Sequence, residues 1–274
     1  MYISINGRLV KKEEASISPE SEGFMYGYGL FETIKAYNGK PIFLDEHIIR
    51  LINGCKSLDL KLEIDSKRIK KICNEVIKAN NINYGAIKIV YTANKGSYYF
   101  IVTTRKISYK KEDYLKGFRL CFSDIKRNPY SPLTYIKSNN YMTNIIARNK
   151  ALKRGYNEVI FLNVMDELCE GSISNIFFVK EGIIHTPLIE CGLLSGITRQ
   201  KIIDIANNLN LKIEIGRYRK EDILSAEEIF ITNSLMDIMP VSRVEDIEFS
   251  MDKNEISRLL IREYKNKLKE DANA

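Results

Sequence analysis

The sequence predicts a two-domain protein of mixed α+β and α/β class. Three observations carry that reading: a length of 274 residues, a hydrophobic content of 45%, and runs of period-two apolar alternation interspersed with runs of helical spacing. This length suits one large domain or two small ones, and the apolar content supplies a substantial core. The stretch Lys126 to Pro132 reads as the boundary. It divides an N-terminal α+β domain, residues 1–125, from a C-terminal domain, residues 133–274, with residues 126–132 as linker.

Met1 to Val10 reads as a hairpin around Asn6-Gly7, and Phe31 to Tyr37 pairs with Pro41 to Leu44 around Asn38-Gly39. Two helices follow, Asp45 to Leu58 and Ser66 to Asn80, the first with Ile48, Leu51, Ile52, Cys55 and Leu58 at helical spacing. Ala86 to Ala93 and Tyr98 to Arg105 are rich in Ile, Val and Tyr and read as strands paired around Lys95-Gly96, and Phe118 to Ile125 adds another. Tyr141, Ile145, Ile146 and Leu152 have the spacing of a helix packed on the core. Glu158 to Asn163 and Asn175 to Lys180 read as strands, with Asp166-Glu167 at a turn and Glu170 near the start of the second strand. Arg199 to Leu209 is an amphipathic helix, Glu228 to Ile231 a strand, and the polar end Lys265 to Ala274 is expected to fray.

Composition removes several classes of function. With only His47 and His185, a Ser-His-Asp triad or a multi-histidine metal site has almost nothing to draw on, and no metal is expected. His47, on a helical segment, is expected to be structural. Five cysteines, odd in number and without a close pair, argue against a disulfide framework, and Cys169 reads as a small packing residue. The net charge of +7 comes from basic residues dispersed among 35 acidic ones, so solvated faces are favoured over nucleic-acid binding. Such a surface attracts an anionic small molecule. No run approaches eighteen apolar residues, and the polar alternation Met1 to Arg8 is unlike a signal peptide. The expectation is a cytoplasmic protein with no membrane contact.

The informative residues lie in Tyr135-Ile136-Lys137-Ser138-Asn139-Asn140-Tyr141 and, about thirty residues later, Glu170-Gly171-Ser172-Ile173-Ser174-Asn175-Ile176-Phe177-Phe178. A lysine attacks an aldehyde only if desolvation or a nearby cation draws its pKa below about 10.4. Lys137 follows a loop with Pro129 and Pro132 and precedes a helix, a junction from which a side chain can enter a cavity. Downstream, Ser195-Gly196-Ile197-Thr198 opens a helix whose free amides and dipole suit a phosphate, with the Thr198 hydroxyl alongside. Thr232-Asn233-Ser234 follows a strand, where a hydroxyl tripeptide taken alone reads as a turn.

These segments resemble, in order and over most of the chain, the class IV aminotransferase superfamily of pyridoxal 5′-phosphate enzymes. The resemblance begins at Gly23-Phe24-Met25-Tyr26-Gly27-Tyr28-Gly29-Leu30-Phe31-Glu32-Thr33-Ile34 and continues through Glu46-His47-Ile48-Ile49-Arg50-Leu51. It passes through the Lys137 and Glu170 runs and Gly196-Ile197-Thr198-Arg199 to Ile231-Thr232-Asn233-Ser234-Leu235-Met236-Asp237-Ile238-Met239-Pro240-Val241. It implies fold-type IV, the D-amino acid aminotransferase-like fold, with pyridoxal phosphate held by Lys137 as a Schiff base. It also implies Glu170 at the pyridine nitrogen, and a phosphate cup of Gly196, Ile197, Thr198, Thr232, Asn233 and Ser234 closed by Arg50. Tyr26, Tyr28 and Thr33 then belong to the substrate side, the substrate is an anionic amine, and the assembly is a homodimer. Ile89 to Gly96 lacks the Arg-x-His carboxylate trap of members acting on D-amino acids, and Asn233-Ser234-Leu235 stands where branched-chain transaminases tend to read Gly-Thr-Ala. Asn233-Ser234-Leu235-Met236 with Met239-Pro240-Val241 resembles the 4-amino-4-deoxychorismate lyases, which release pyruvate and form 4-aminobenzoate for folate. A branched-chain or D-amino-acid aminotransferase is the alternative.

Overall fold

A computed structural model describes residues 1–273. Two compact units account for the chain: Met1–Ser108 with Ile136–Asn140 and the chain from Leu268 on, and Tyr109–Tyr135 with Tyr141–Lys267.

The first unit contains β1 (Tyr2–Ile5), β2 (Arg8–Lys11), α1 (Glu22–Tyr26), β3 (Gly29–Tyr37), β4 (Lys40–Pro41), α2 (Leu44–Ser57), α3 (Ser66–Ala79), β5 (Tyr84–Asn94) and β6 (Ser97–Arg105). Its strands form an antiparallel sheet in the order β2-β1-β6-β5-β3-β4. The turns that join neighbours are those the sequence announces: Asn6 and Gly7, Asn38 and Gly39, and Lys95 and Gly96 all have positive φ, the conformation a two-residue hairpin requires. Side chains alternate across a strand, so Leu30, Ile34 and Ala36 of β3 meet Ile48, Leu51 and Cys55 of α2 and Ile69, Ile72, Cys73 and Val76 of α3 in one core. The start of α3 is fixed by Asp65, whose carboxylate accepts from the Arg68 amide at 2.7 Å.

The second unit contains α4 (Lys111–Lys116), β7 (Phe118–Phe122), α5 (Met142–Lys153), β8 (Glu158–Leu162), β9 (Leu168–Gly171), β10 (Asn175–Lys180), β11 (Ile183–Pro187), α6 (Ile197–Asn208), β12 (Ile213–Gly216), α7 (Lys220–Leu224), β13 (Glu228–Asn233), β14 (Asp237–Val244) and β15 (Ile247–Glu248). Most of α8 (Glu255–Asn273) belongs to it as well. The sheet runs β12-β11-β10-β13-β14-β7-β8-β9, with β15 on β14, and is parallel at β11/β12, β14/β7 and β7/β8. Strands β8, β10 and β13 are buried along almost their whole length, which is why they read as continuous apolar runs.

Four expectations are corrected. The boundary does not lie at 126–132: β7 pairs with β14 and β8, so residues from Tyr109 belong with the second sheet, whereas 136–140 belong with the first. Glu170, expected near the start of the strand beginning at Asn175, lies on β9, a separate four-residue strand paired with β8. Helix α5 forms, but Ile145, Ile146 and Leu152 are 48%, 43% and 43% exposed while Asn144, Ala147 and Ala151 are buried. Small residues let it lie close to β8, and Asn144 is drawn inward by hydrogen bonds. As far as Asn273 the C-terminal end does not fray, Ala274 lying outside the described residues: Leu268 and Ala272 are buried, and the Asp271 carboxylate accepts from the Phe43 amide at 2.8 Å.

All five cysteines are buried thiols, and Cys169 donates to the Cys191 carbonyl at 3.0 Å. Among the described residues, no helix is long and apolar enough to cross a membrane and no cluster of His, Cys, Asp or Glu could hold a metal ion.

Candidate active site

In the first unit, the segment around Lys137 runs beside the start of β3 as a short added strand. The Phe31 amide donates to the Lys137 carbonyl at 2.9 Å, Asn139 donates to the Gly29 carbonyl at 2.9 Å, and Ser138 bridges Leu30. This places the Lys137 ammonium 4.6 Å from the centre of the Phe31 ring, with Lys88 Nζ 4.8 Å from the same ring. Thr33 pairs with Lys88, Lys88 with Thr103, and Ala86 with Arg105. Phe31, Thr33, Lys35, Lys88, Thr103 and Arg105 therefore share the sheet face opposite the helices. Burial and then the Arg105 charge push the Lys88 ammonium below its ordinary value, and no carboxylate pairs with Lys88 or Arg105 among the described residues.

On the helical face, Glu32 takes two bonds from Arg50, Nε at 2.8 Å and Nη2 at 2.6 Å, and its Oε2 lies 2.7 Å from His47 Nδ1. Burial would raise the Glu32 carboxyl, but the charge and hydrogen bonds of Arg50, and then the contact with His47, outweigh it and hold it well below the usual carboxylate range. Burial also pushes His47 down against the opposing pull of Glu32, which favours a neutral ring donating from Nδ1. Arg50, which the sequence reading places at a phosphate, also grips Glu32, and His47 is a buried partner of the same carboxylate.

The substrate-side expectations separate. Thr33 lies half-buried on the cationic face, Tyr26 is 70% exposed on the last turn of α1, and the Tyr28 hydroxyl donates to the Leu58 carbonyl at 2.7 Å. That bond makes Tyr28 a tether between the start of β3 and the end of α2.

In the second unit, Glu170 is fixed at both oxygens. Arg127 Nη2 donates to Oε1 at 3.0 Å, while the Leu194 amide at 3.1 Å and Asn175 Nδ2 at 3.4 Å donate to Oε2. Arg127 in turn stacks 4.2 Å above the Phe161 ring and donates to Asn144 Oδ1 at 3.2 Å. The Tyr141 hydroxyl and Asn144 Nδ2 both donate to the Ser172 carbonyl at 2.6 Å. Burial first, then the Glu170 charge, push the Tyr141 phenol well above its ordinary value, so it stays a donor. Arg127, Tyr141 and Asn144 escaped the sequence reading because each acts on residues 28 to 43 positions away. The one local signal was an arginine inside a proline-bearing loop just before Lys137.

The predicted phosphate residues come together in the same unit. Gly196 is the N-cap of α6 and supplies no side-chain cap, which leaves the amides of the first turn, including Ile197 and Thr198, without that partner. A Cβ at Gly196 would lie 1.8 Å from Asn175 Oδ1, so a side chain there would displace Asn175. Thr198 Oγ1 lies 3.4 Å from the Tyr264 hydroxyl. Thr232, in register with Asn175, has a buried Oγ1 with no hydrogen-bond partner. Asn233 is occupied otherwise: its Oδ1 accepts from Leu235 and Met236 amides at 2.9 Å and its Nδ2 donates to the Ile173 carbonyl at 3.1 Å. It shapes the turn that carries Ser234.

Residues 29–244 match the family model for amino-transferase class IV. The chain is 30% identical to an aminodeoxychorismate lyase of Bacillus subtilis, over 97% of this chain and 94% of that protein. The branched-chain amino acid aminotransferase of Escherichia coli superposes with a TM-score of 0.92 at 25% identity, covering 97% of this chain and 94% of that one. A second branched-chain amino acid aminotransferase, that of T.th., determined with pyridoxamine 5′-phosphate, gives 0.89 at 26% identity, covering 96% and 92%. The chain belongs to the class IV aminotransferase family of enzymes, and its fold is fold-type IV.

Proposed function

We propose that this chain is a pyridoxal-phosphate-dependent lyase that acts on 4-amino-4-deoxychorismate and yields pyruvate and 4-aminobenzoate. The residues present fit the cofactor: a buried threonine hydroxyl without a partner at Thr232, a glycine at Gly196 where a Cβ would displace Asn175, uncapped amides opening α6, and a carboxylate bonded by Arg127. Lys137 would hold the aldehyde carbon, Glu170 the pyridine nitrogen, and Gly196, Ile197, Thr198, Thr232, Ser234 and Arg50 the phosphate. When bound, pyridoxal phosphate supplies an aldehyde for the substrate amine and a ring that accepts electrons from the carbon losing its proton.

The protein's own groups do the rest. Lys137 Nζ takes the proton at the amine-bearing carbon. Glu170, bonded by Arg127, would face the pyridine nitrogen and accept its N–H. Loss of the ring proton breaks the bond to the neighbouring enolpyruvyl oxygen. A proton taken up by that leaving group completes pyruvate, and the ring becomes aromatic.

The observation that carries the lyase reading is the cationic face of Phe31, Lys88 and Arg105. Two basic side chains lacking a carboxylate partner among the described residues suit a substrate with two carboxylates better than a branched-chain amino acid, which has one. The similarity to the Bacillus subtilis enzyme points the same way. The resemblance also favours a homodimer in the cytoplasm.

The test supplies purified holoenzyme with 4-amino-4-deoxychorismate and no keto acid. Pyruvate and 4-aminobenzoate in equal amounts are expected. Amino transfer that requires a keto-acid acceptor, with no 4-aminobenzoate, would overturn the reading in favour of a branched-chain or D-amino-acid aminotransferase. Lys88→Gln is expected to raise KM about tenfold for the dicarboxylate with a smaller effect on kcat.

A further inference from the structure

A buried carboxylate that the proposed mechanism does not use lies under the turn between β9 and β10. Glu158, 1% exposed at the start of β8, accepts five hydrogen bonds. Oε1 takes the Ser172 hydroxyl at 2.5 Å, the Val159 amide at 2.9 Å and the Ser172 amide at 3.1 Å. Oε2 takes the Ile173 amide at 3.3 Å and the Ser174 hydroxyl at 3.4 Å. Four of these come from three consecutive residues of the connection Gly171-Ser172-Ile173-Ser174.

That connection joins two functional side chains. Glu170 precedes it, and Asn175, which donates to Glu170 and to the Leu194 carbonyl at 2.9 Å, follows it. The turn is also held from its other side, where Tyr141 and Asn144 reach the Ser172 carbonyl and Asn233 reaches the Ile173 carbonyl. It is closed tightly enough that a Cβ on Gly171 would stand 2.3 Å from Ser174 Oγ and 3.3 Å from Glu158 Cδ.

We infer that Glu158 is a positioning residue for cofactor binding: its carboxylate gathers the amides and hydroxyls of residues 172–174 and thereby sets Glu170, Asn175 and Thr232, the strand neighbour of Asn175. A carboxylate is an acceptor at every lone pair, whereas a carboxamide in its place puts a donor against the Ile173 amide and the Ser174 hydroxyl. The inference rests on the cofactor roles proposed above for Glu170 and Thr232, and does not depend on which reaction follows. It assigns Glu158 no contact with substrate.

Glu228 provides the control. It too is a buried glutamate, 4% exposed, that accepts only from neutral donors: the Ile256 amide at 3.0 Å, the Ser257 amide at 2.8 Å and the Ser257 hydroxyl at 2.6 Å. Those bonds secure the start of α8 and not the turn at 172–174.

The experiment titrates the full-length chain, freed of cofactor, with pyridoxal 5′-phosphate and follows Kd, with thermal unfolding recorded in parallel. Glu158→Gln is expected to raise Kd about tenfold, the loss of a charge-assisted bond plus a donor facing a donor. Glu228→Gln is expected to lower Tm as Glu158→Gln does and to leave Kd unchanged. If Glu158→Gln yields too little folded protein, Ser172→Ala, which deletes only the hydroxyl, is expected to raise Kd several-fold. Equal Kd for Glu158→Gln and the unaltered protein, an equal rise for Glu228→Gln, or an unchanged Kd for Ser172→Ala would each overturn the inference. A rise in Kd in a protein that proves to be an aminotransferase would leave it standing.

Discussion

Glu32 in the first unit and Glu158 in the second are both buried glutamates at 1% exposure, yet their surroundings drive them in opposite directions. Glu32 has two basic partners, Arg50 and His47, and is held as an anion well below the usual range. For Glu158 burial is the largest influence, and the Ser172 hydroxyl, the Val159 amide and the Arg148 charge only partly offset it, so its carboxyl is raised. Hydrogen bonds from neutral groups organise a buried carboxylate without making its charge easy to keep; a guanidinium does both. The units differ in the same sense overall. The first presents cations on its sheet face, and the second presents amides and hydroxyls shaped by a buried acceptor.

The largest expected effect concerns the lysine of the first unit. Lys137→Ala should lower turnover by about 10⁴-fold and abolish fixation of the cofactor to the chain by borohydride, read by mass spectrometry. Retention of either would remove the division of labour just drawn. Next in size is Glu32→Gln. It leaves Arg50 and His47 without their anion in a buried site and should cost about 3–5 kcal/mol in denaturant unfolding, more than Glu158→Gln, where the missing partners are neutral. A smaller cost for Glu32→Gln than for Glu158→Gln would break the comparison.

The pH dependence of stability sharpens it. A carboxyl lowered by folding contributes stability that is present above its unfolded value, about 4.3, and is lost as pH falls towards its folded value. Glu32 should therefore add to acid destabilisation below about pH 4.3, and Glu32→Gln should flatten that limb. Glu158 has the opposite sign. Its folded value is raised, so stability falls as pH rises from about 4.3 through that raised value, and Glu158→Gln should remove this slope. Unfolding curves between about pH 3 and 8, read as differences from the unaltered chain, test both signs. The smallest effect belongs to Tyr28→Phe, which deletes only the hydroxyl bond to Leu58 and should cost about 1 kcal/mol with little change in kcat/KM. A large loss of activity would return Tyr28 to the substrate side.

Much of the first unit could be read from the sequence because its determinants are local. Asn-Gly and Lys-Gly turns lie between strands that pair directly, and α2 and α3 carry apolar stripes at helical spacing. The second unit hid more. β9 is only four residues long, and its Cys169 and Glu170 give no alternating signal. α5 misled the reading because its large apolar residues face outwards while Ala147, Ala151 and a hydrogen-bonded asparagine face inwards, an arrangement that periodicity of hydrophobicity cannot separate from its reverse. The terminal helix was misjudged by counting charges, although Leu268 and Ala272 sit four residues apart on its buried side. Family order gave Lys137 and Glu170. It gave nothing on Arg127 or Glu158, whose roles depend on contacts 43 and 14 residues distant.

The burial of every cysteine turns the chain into its own recorder of motion. Burial raises Cys55 and Cys121 to about 11 and Cys73 to about 12, the thiolate is scarce at neutral pH, and a folded molecule should alkylate slowly. Reaction then waits for local opening, and the peptide that becomes labelled reports where it occurred. Cys55 and Cys73 lie in the first unit and Cys121, Cys169 and Cys191 in the second, so one time course of iodoacetamide labelling would time the breathing of each separately.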